Sequence, residues 1–171
     1  MNSKEWILNE DSVTLQDRIE RLQWMSEISP QNDYWLFHGG ILTKSLFEET
    51  RYCFVYGQFL AAITLGLSFL ERSLASVQFG QGQDHLERAS IKILRKTALE
   101  KGLITQAEYD QIEKARKDRN RILHFRSPGD EDTIEYMSIT NNESPYGLFE
   151  EEARSVMKII FVLLSHFSER F

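Results

Sequence analysis

The chain has 171 residues, of which 42% are apolar and 27% are charged, with nine glycines and three prolines. This length and composition predict one folded globular domain over residues 1–171, and they exclude intrinsic disorder and collagen-like or low-complexity chains. The net charge of −6 excludes a basic coat over the whole surface, so any site for a polyanion has to be local.

The first predicted element is an amphipathic helix over residues 14–26. Its apolar side chains recur at helical spacing, and they are Leu15, Ile19, Leu22 and Met25. Asp11, Ser12 or Thr14 would cap its start. Residues 28–42 follow, and the proline and two glycines in this stretch predict a connection with anchoring aromatic side chains.

A long central helix is predicted between residues 43 and 77. Its stretch 53–70 (CFVYGQFLAAITLGLSFL) has no charge and reaches the lower length limit of a membrane-spanning helix. The helical pattern continues past Glu71 and Arg72, and polar residues interrupt the run, so a core helix is the favoured interpretation and no membrane span is expected. Small residues in this helix predict the close approach of another helix, and they are Gly57, Ala61, Ala62 and Gly66.

Two further helices are predicted to form an antiparallel hairpin. Asp84 and Glu87 form a D-x-x-E start for the first of them, which would end at Gly102. Thr105 and Glu108 form a T-x-x-E capping box for the second, which is predicted from residue 106 to about residue 125. Because only a short turn separates the two helices, they should be neighbours.

The remaining chain is predicted to contain an excursion loop and a last helix. Residues 127–144 are polar and acidic, with possible strand pattern only over 134–139. Residues 149–167 repeat apolar side chains at helical spacing. Ile159, Phe161 and Phe171 widen this apolar surface, which predicts an intersubunit contact in addition to a core face. The fold class is therefore all-α, an up-and-down helical bundle of about five helices with one long central helix.

A basic run lies near the end of the fourth predicted helix. Residues 114–126 have a net charge of +5 in a chain whose total is −6. The run consists of Lys114, Arg116, Lys117, Arg119, Arg121 and Arg126, opposed by Asp118. Such asymmetry can place an anionic ligand at one position on an acidic protein. The alternative is a solvated helix face whose basic residues complement the helix dipole.

Three residues within this run combine the groups that phosphate chemistry needs. Arg119, Asn120 and His124 supply a guanidinium, an amide and an imidazole, and Asn120 and His124 are four residues apart, so that they share a helix face. The spacing of Arg119 from Ile112 and Ala115 puts its guanidinium beside the packed side, where it would need an anion.

Glu71 on the long helix is a candidate supporting residue. Its carboxylate interrupts a mostly apolar stripe that contains Leu67 and Leu74. Two interpretations remain open: a role in the site, or a structural salt bridge to Arg119 or Arg116.

The pattern R-N-x-x-x-H near a helix end, preceded by the hairpin EKGLITQAEYDQIEKARKDRNRILHF, resembles HEPN domains. The helix QFLAAITLGLSFLERSL is similar to the HEPN helix that packs against the motif helix. The resemblance covers roughly residues 43–126 together with a terminal helix in the expected order. It implies an all-α homodimer and, in many members, a metal-independent endoribonuclease.

The resemblance implies that Arg119 and His124 of both chains line one cleft, with Asn120 orienting the histidine or the phosphate. Helix geometry agrees, because five residues correspond to about 140° of rotation and about 7.5 Å of rise, so one chain cannot easily bring both groups to one phosphate. Arg116, Lys117, Arg121 and Arg126 would bind flanking phosphates of RNA. No cofactor is expected.

Regulation by a partner is also part of the resemblance. An antitoxin or a nucleotidyltransferase would restrain a toxin or defence nuclease of this kind. Some members carry a tyrosine two residues beyond the histidine that such a transferase modifies, and the corresponding residue in this chain is Arg126, which argues against that modification. The rival interpretations are a noncatalytic HEPN-like module that binds nucleotide, nucleic acid or protein, and a bundle with no connection to nucleic acid.

The other titratable residues do not predict a second site. His38, His85 and His166 have no ligand-like neighbours in sequence, so no metal set is expected. Cys53 is the single cysteine, which excludes an internal disulfide and indicates a reducing compartment. Residues 1–12 (MNSKEWILNEDS) resemble neither a secretory signal nor a transit peptide. A cytoplasmic location is expected.

Overall fold

The computed structural model describes residues 2–30 and 35–169, and these residues form seven α-helices and one turn of 3₁₀ helix, with no strand in either range. The helices are α1 (Ser3–Ile28), α2 (Gly40–Val55), α3 (Phe59–Gly80), α4 (Ile91–Glu100), α5 (Gln106–Leu123), α6 (Ile134–Asn141) and α7 (Pro145–Glu169). The all-α class is confirmed, but the expected number of about five helices is too low. The two additional helices come from a break in the long helix and from the acidic segment.

Helix α1 begins well before the predicted position. Asn2 accepts a hydrogen bond from the Glu5 backbone N–H, and the Glu5 carboxylate accepts one from the Asn2 N–H, so that a full capping box starts the helix at Ser3. The predicted caps at residues 11–14 are therefore wrong. They lie within the first half of a longer helix, whose first three turns carry no regular apolar stripe against the core.

The predicted long helix is interrupted by a turn at residues 56–58. Gly57 has a φ of +73°, which ends α2, and the Gln58 N–H donates to the Cys53 carbonyl at 2.8 Å. The uncharged run 53–70 therefore crosses a turn. Among the described residues, only α3 is long and apolar enough to cross a membrane, and half of its most apolar window is buried within the fold, as in a core helix.

Helix α3 is the centre of the core and contacts α2, α4, α5 and α7. The predicted close approach is confirmed at Gly66, where an added Cβ would lie 2.4 Å from Cγ1 of Val156 on α7. Ile159 and Phe161 are 0% and 4% exposed. The interpretation of these two residues as an intersubunit surface is therefore wrong, because they complete the core of their own chain; Phe171 lies outside the described residues.

The predicted hairpin is formed by α4 and α5. Of the two helix starts predicted for it, only that of α5 is right. Thr105 accepts from the Glu108 N–H and Glu108 accepts from the Thr105 N–H, which confirms the capping box of α5. Asp84 instead opens a 3₁₀ turn that ends at residue 86, and α4 begins at Ile91. Gly102, with a φ of +66°, ends the first helix of the hairpin as expected.

The acidic segment 127–144 is only partly a loop. Residues 134–139, whose pattern is compatible with a strand, belong to α6, and the side chain of Thr133 caps this helix by accepting from the Tyr136 N–H. None of the residues of α6 is buried. The segment therefore lies on the surface, where α6 contacts α7.

Candidate functional site

The R-N-x-x-x-H motif lies at the carboxyl end of α5. Ile112 and Ala115 on this helix are buried against the core, which fixes its orientation. The helix ends at Leu123, and His124 is its C-cap with extended backbone angles, while its N–H still donates to the Asn120 carbonyl at 3.0 Å. The imidazole is therefore exposed just beyond the last helical turn.

Most basic side chains around the motif already have a carboxylate partner in the same chain. Four pairs are formed, Lys114 with Asp118 at 2.7 Å, Arg116 with Glu113 at 2.8 Å, Arg126 with Asp132 at 3.5 Å, and Arg121 with Glu152. The hydrogen bonds from Arg116 and the charge of Arg95 lower the pKa of Glu113. The net charge of the run thus overstates how many cations are free to bind a ligand.

Arg119 differs from these neighbours. Its side chain is partly buried, and its Nε atom, like that of Arg121, is buried without a hydrogen-bond partner. Neither a hydrogen bond nor a carboxylate within 4 Å is found for this guanidinium across residues 2–30 and 35–169. A partly buried cation of this kind is stabilised when an anion or another chain supplies the missing partner.

Two neighbouring clefts open beside the motif. One, of about 310 Å³, is lined by Arg116, Lys117, Asn120, Arg121, Arg126 and Asp132. The other, of about 320 Å³, includes His124, Phe125 and Phe149, together with Thr133 and Glu135 from the acidic segment. Arg121 and Arg126 border both. The structure therefore brings together most of the predicted site residues, with Asn120 and His124 in adjacent clefts, while Arg119 lines neither.

Glu71 has a different environment from the one predicted. Its Oε1 atom accepts a hydrogen bond from the Ile91 N–H at 3.1 Å, which places a carboxylate at the amino terminus of α4. No ion pair joins it to Arg119 or Arg116, whose partner is Glu113. The salt-bridge interpretation is therefore wrong. Glu71 interrupts the apolar stripe of α3 because its carboxylate caps the neighbouring helix α4.

Glu152 on α7 is a site neighbour that the sequence did not single out. It is 5% exposed and forms an ion pair with Arg121. The Arg121 guanidinium also lies 3.6 Å from the Asp118 carboxylate. Burial, and then the charge of Asp118, raise the pKa of Glu152, although Arg121 opposes them. The sequence does contain a signal for this residue: Glu152 interrupts the apolar spacing between Leu148 and Val156, in the same way as Glu71 interrupts the apolar stripe of α3.

This raised pKa predicts a pH-dependent contribution to stability. The stability that Glu152 contributes is fully present below its unfolded pKa of about 4.3 and is lost as the pH rises through its higher folded pKa. Glu152→Gln cannot titrate, so the free energy of unfolding of the wild type relative to this variant should increase as the pH falls from neutrality towards about 4.3. Urea unfolding of both proteins at each pH measures this difference. A difference that stays constant, or that changes in the opposite direction, would contradict the assignment.

The remaining histidines lie away from the motif. His38 is in the loop before α2, with Nε2 3.4 Å from the Phe167 carbonyl oxygen, and His85 is in the 3₁₀ turn. Nδ1 of His166 lies 3.1 Å from the Glu108 carboxylate. No group of three or more His, Cys, Asp or Glu residues that could hold a metal ion occurs in the part of the chain that the structure describes.

No protein-family model, curated protein or solved structure matches this chain significantly. The arrangement of the residues themselves is therefore the basis for any proposal about function.

Proposed function

We propose that the chain is a metal-independent endoribonuclease of the HEPN type that cuts RNA in a cleft between two copies. The observation that carries this proposal is the guanidinium of Arg119, for which the described residues offer no carboxylate partner. It lies one residue before Asn120 and five before His124, on a helix whose other two arginines, Arg116 and Arg121, are paired with carboxylates. A phosphate would supply the missing anion.

The exposed surface around His124 supports a site shared between subunits. Leu123 is 51% exposed and Phe125 is 91% exposed, so two large apolar side chains flank the imidazole on both sides in sequence. An apolar surface next to catalytic groups is typical of a surface that a partner covers. A twofold pairing of α5 helices would cover it and would bring Arg119 of one copy towards His124 of the other.

The residue types account for a complete reaction. The ribose 2′-hydroxyl attacks the adjacent phosphorus and gives its proton to a general base, the bond to the 5′-oxygen breaks, and that oxygen takes a proton from a general acid. The products are a 2′,3′-cyclic phosphate and a 5′-hydroxyl. An imidazole can serve as base or acid near neutral pH, and a guanidinium stabilises the charge that develops on the phosphorane. His124 and Arg119 are assigned these roles, with Asn120 orienting the reacting groups.

The test uses the purified full chain with single-stranded RNA in the presence of EDTA. We expect RNA to be cut into fragments with cyclic phosphate and 5′-hydroxyl ends, while DNA of the same sequence stays intact because it lacks the attacking hydroxyl. Cleavage that requires a divalent metal, or that extends to DNA, would contradict the proposed chemistry.

A second candidate is a noncatalytic HEPN-like module. The carboxylate partners of Arg116 and Arg121 favour it, because they leave a smaller cationic surface for RNA than the sequence indicates. Salt-sensitive binding of RNA or nucleotide without any cleavage would support this candidate over the nuclease.

The acidic segment is expected to weaken RNA binding at the cleft. Asp132 pairs with Arg126 at 3.5 Å and lines the same cleft as Lys117 and Asn120. An exposed pair is worth about 0–1 kcal/mol, so Asp132→Asn should raise RNA affinity about two- to fivefold at low salt. Fluorescence anisotropy of labelled RNA measures the change. Asp84→Asn removes one charge from an exposed site on the 3₁₀ turn and is the control, and an equal effect of both variants would show that only net charge matters.

A further inference from the structure

Helix α1 carries a second apolar stripe that faces solvent. It consists of Leu8, Leu15, Ile19 and Leu22, which are 58%, 53%, 41% and 51% exposed. Their spacings of seven, four and three residues place them on one side of the helix. The helix contacts α2 and α7 through another side, on which Arg21 and Met25 are buried and Trp24 and Ile28 are partly buried. Across residues 2–30 and 35–169, no part of the chain buries this stripe.

The amino-terminal half of α1 has no support from the core. Every residue from 3 to 13 is exposed. An isolated helix of fewer than about 12–15 residues is marginal in water even with good helix formers. The Asn2 cap supports one end, but a covering partner would stabilise this half much more.

The charge of α1 decides between classes of partner. Six acidic and three basic residues lie between Ser3 and Ile28. Nucleic acid and anionic membrane surfaces attract basic helices, so an acidic helix is unfavourable for both. A partner protein helix with a matching apolar stripe is favoured instead.

We propose that this stripe pairs with the same stripe of a second copy, with the two α1 helices antiparallel about Leu15. Leu8 and Leu22 are each seven residues from Leu15, so the antiparallel arrangement places Leu15 against Leu15 and Leu8 against Leu22 of the second copy. This self-complementarity is the requirement for a twofold interface.

Charge complementarity favours the antiparallel direction. Asp11 and Arg18 border the stripe and form an ion pair at 3.0 Å within one chain. In the antiparallel register, Asp11 of one copy lies beside Arg18 of the other. In a parallel pair, the same flank of the two stripes lies on opposite sides of the interface, so Asp11 of one copy would not lie beside Arg18 of the other. This interface goes beyond the proposed nuclease site and does not involve α5.

The first experiment measures the oligomeric state of the full chain by sedimentation or light scattering. The wild type is expected to reach at least twice the chain mass of 20.1 kDa. Leu15→Glu places two charges against each other at the twofold axis and should weaken the association by about tenfold or more. Val13→Glu is the matched control, because Val13 is 70% exposed but lies about 200° around the helix from Leu15. A monomeric wild type at about 100 μM, or equal effects of both variants, would overturn the proposal.

The second experiment tests the register by disulfide formation in a Cys53→Ser background. Leu15→Cys should cross-link with itself, and Leu8→Cys should cross-link with Leu22→Cys when the two proteins are mixed. Leu8→Cys alone should not cross-link, because antiparallel helices separate its two copies by about 21 Å, far beyond disulfide reach. Cross-linking of Leu8→Cys with itself, or binding of a monomeric chain to neutral phospholipid vesicles through the stripe, would overturn it.

Discussion

His124→Ala is expected to reduce the rate of RNA cleavage by about 10²–10⁴-fold, because the variant loses the group that exchanges protons with the 2′-hydroxyl and the leaving oxygen. Arg119→Ala should lower the rate by about 10²–10³-fold through the loss of charge stabilisation in the transition state. Since His124 is exposed and Arg119 has no partner in the described chain, neither change should lower stability appreciably. Initial rates on a defined RNA measure the loss of activity of both variants, and urea unfolding measures their stability.

A mixed dimer distinguishes a shared site from a site within one chain. A dimer with one His124→Ala copy and one Arg119→Ala copy retains one complete site if the two groups come from opposite subunits. Purification of this dimer through two different affinity tags should therefore recover about half of the wild-type rate per dimer, while both parent variants stay inactive. No recovery would contradict the shared cleft. Lys101→Ala is a control for the loss of a basic residue outside the motif.

Gly66→Ala is expected to destabilise the fold by about 1–3 kcal/mol. The new methyl would lie 2.4 Å from Cγ1 of Val156 and 3.2 Å from Cδ1 of Ile160. The valine is stiff at χ1, so α3 and α7 have to separate. This cost exceeds the gain of about 1 kcal/mol that alanine has over glycine in a helix. Urea unfolding of the variant and the wild type measures the loss.

Two controls isolate the effect of the close approach. Gly80→Ala changes the same residue type on the same helix, where an added Cβ meets no atom within 4 Å, and it should be neutral or stabilising by up to about 1 kcal/mol. Gly66→Ala should also cost less in a Val156→Ala background, because the clashing methyl is gone. Equal effects of Gly66→Ala and Gly80→Ala would contradict the packing argument.

Local signals identified those elements whose ends are determined by neighbouring residues. The α5 start was predicted because Thr105 and Glu108 satisfy backbone groups within three residues of each other. The same rule failed at Asp84 and Glu87, because the start of α4 is capped by Glu71, twenty residues earlier in the chain. A pattern search along one segment does not include a cap from another helix.

The candidate site shows the same limit. The motif residues were found because a helix repeats its faces at a fixed period, which relates Asn120 and His124 whatever the rest of the fold does. Helical periodicity could not predict which of the basic residues form ion pairs with carboxylates. Arg121 is paired by Glu152 on α7, and Arg126 by Asp132 beyond the end of the helix.

The sequence by itself determined the all-α class, the capped hairpin and the position of the Arg–Asn–His motif, because helical periodicity and capping depend on residues within one or two turns. Only the tertiary structure decided which cations are neutralised, which apolar residues stay exposed and where the long helix breaks. These properties depend on contacts between distant segments. Two features can therefore be recognised only from the packed helices. Among the described residues Arg119 has no ion-pair partner, and the apolar stripe of α1 is exposed.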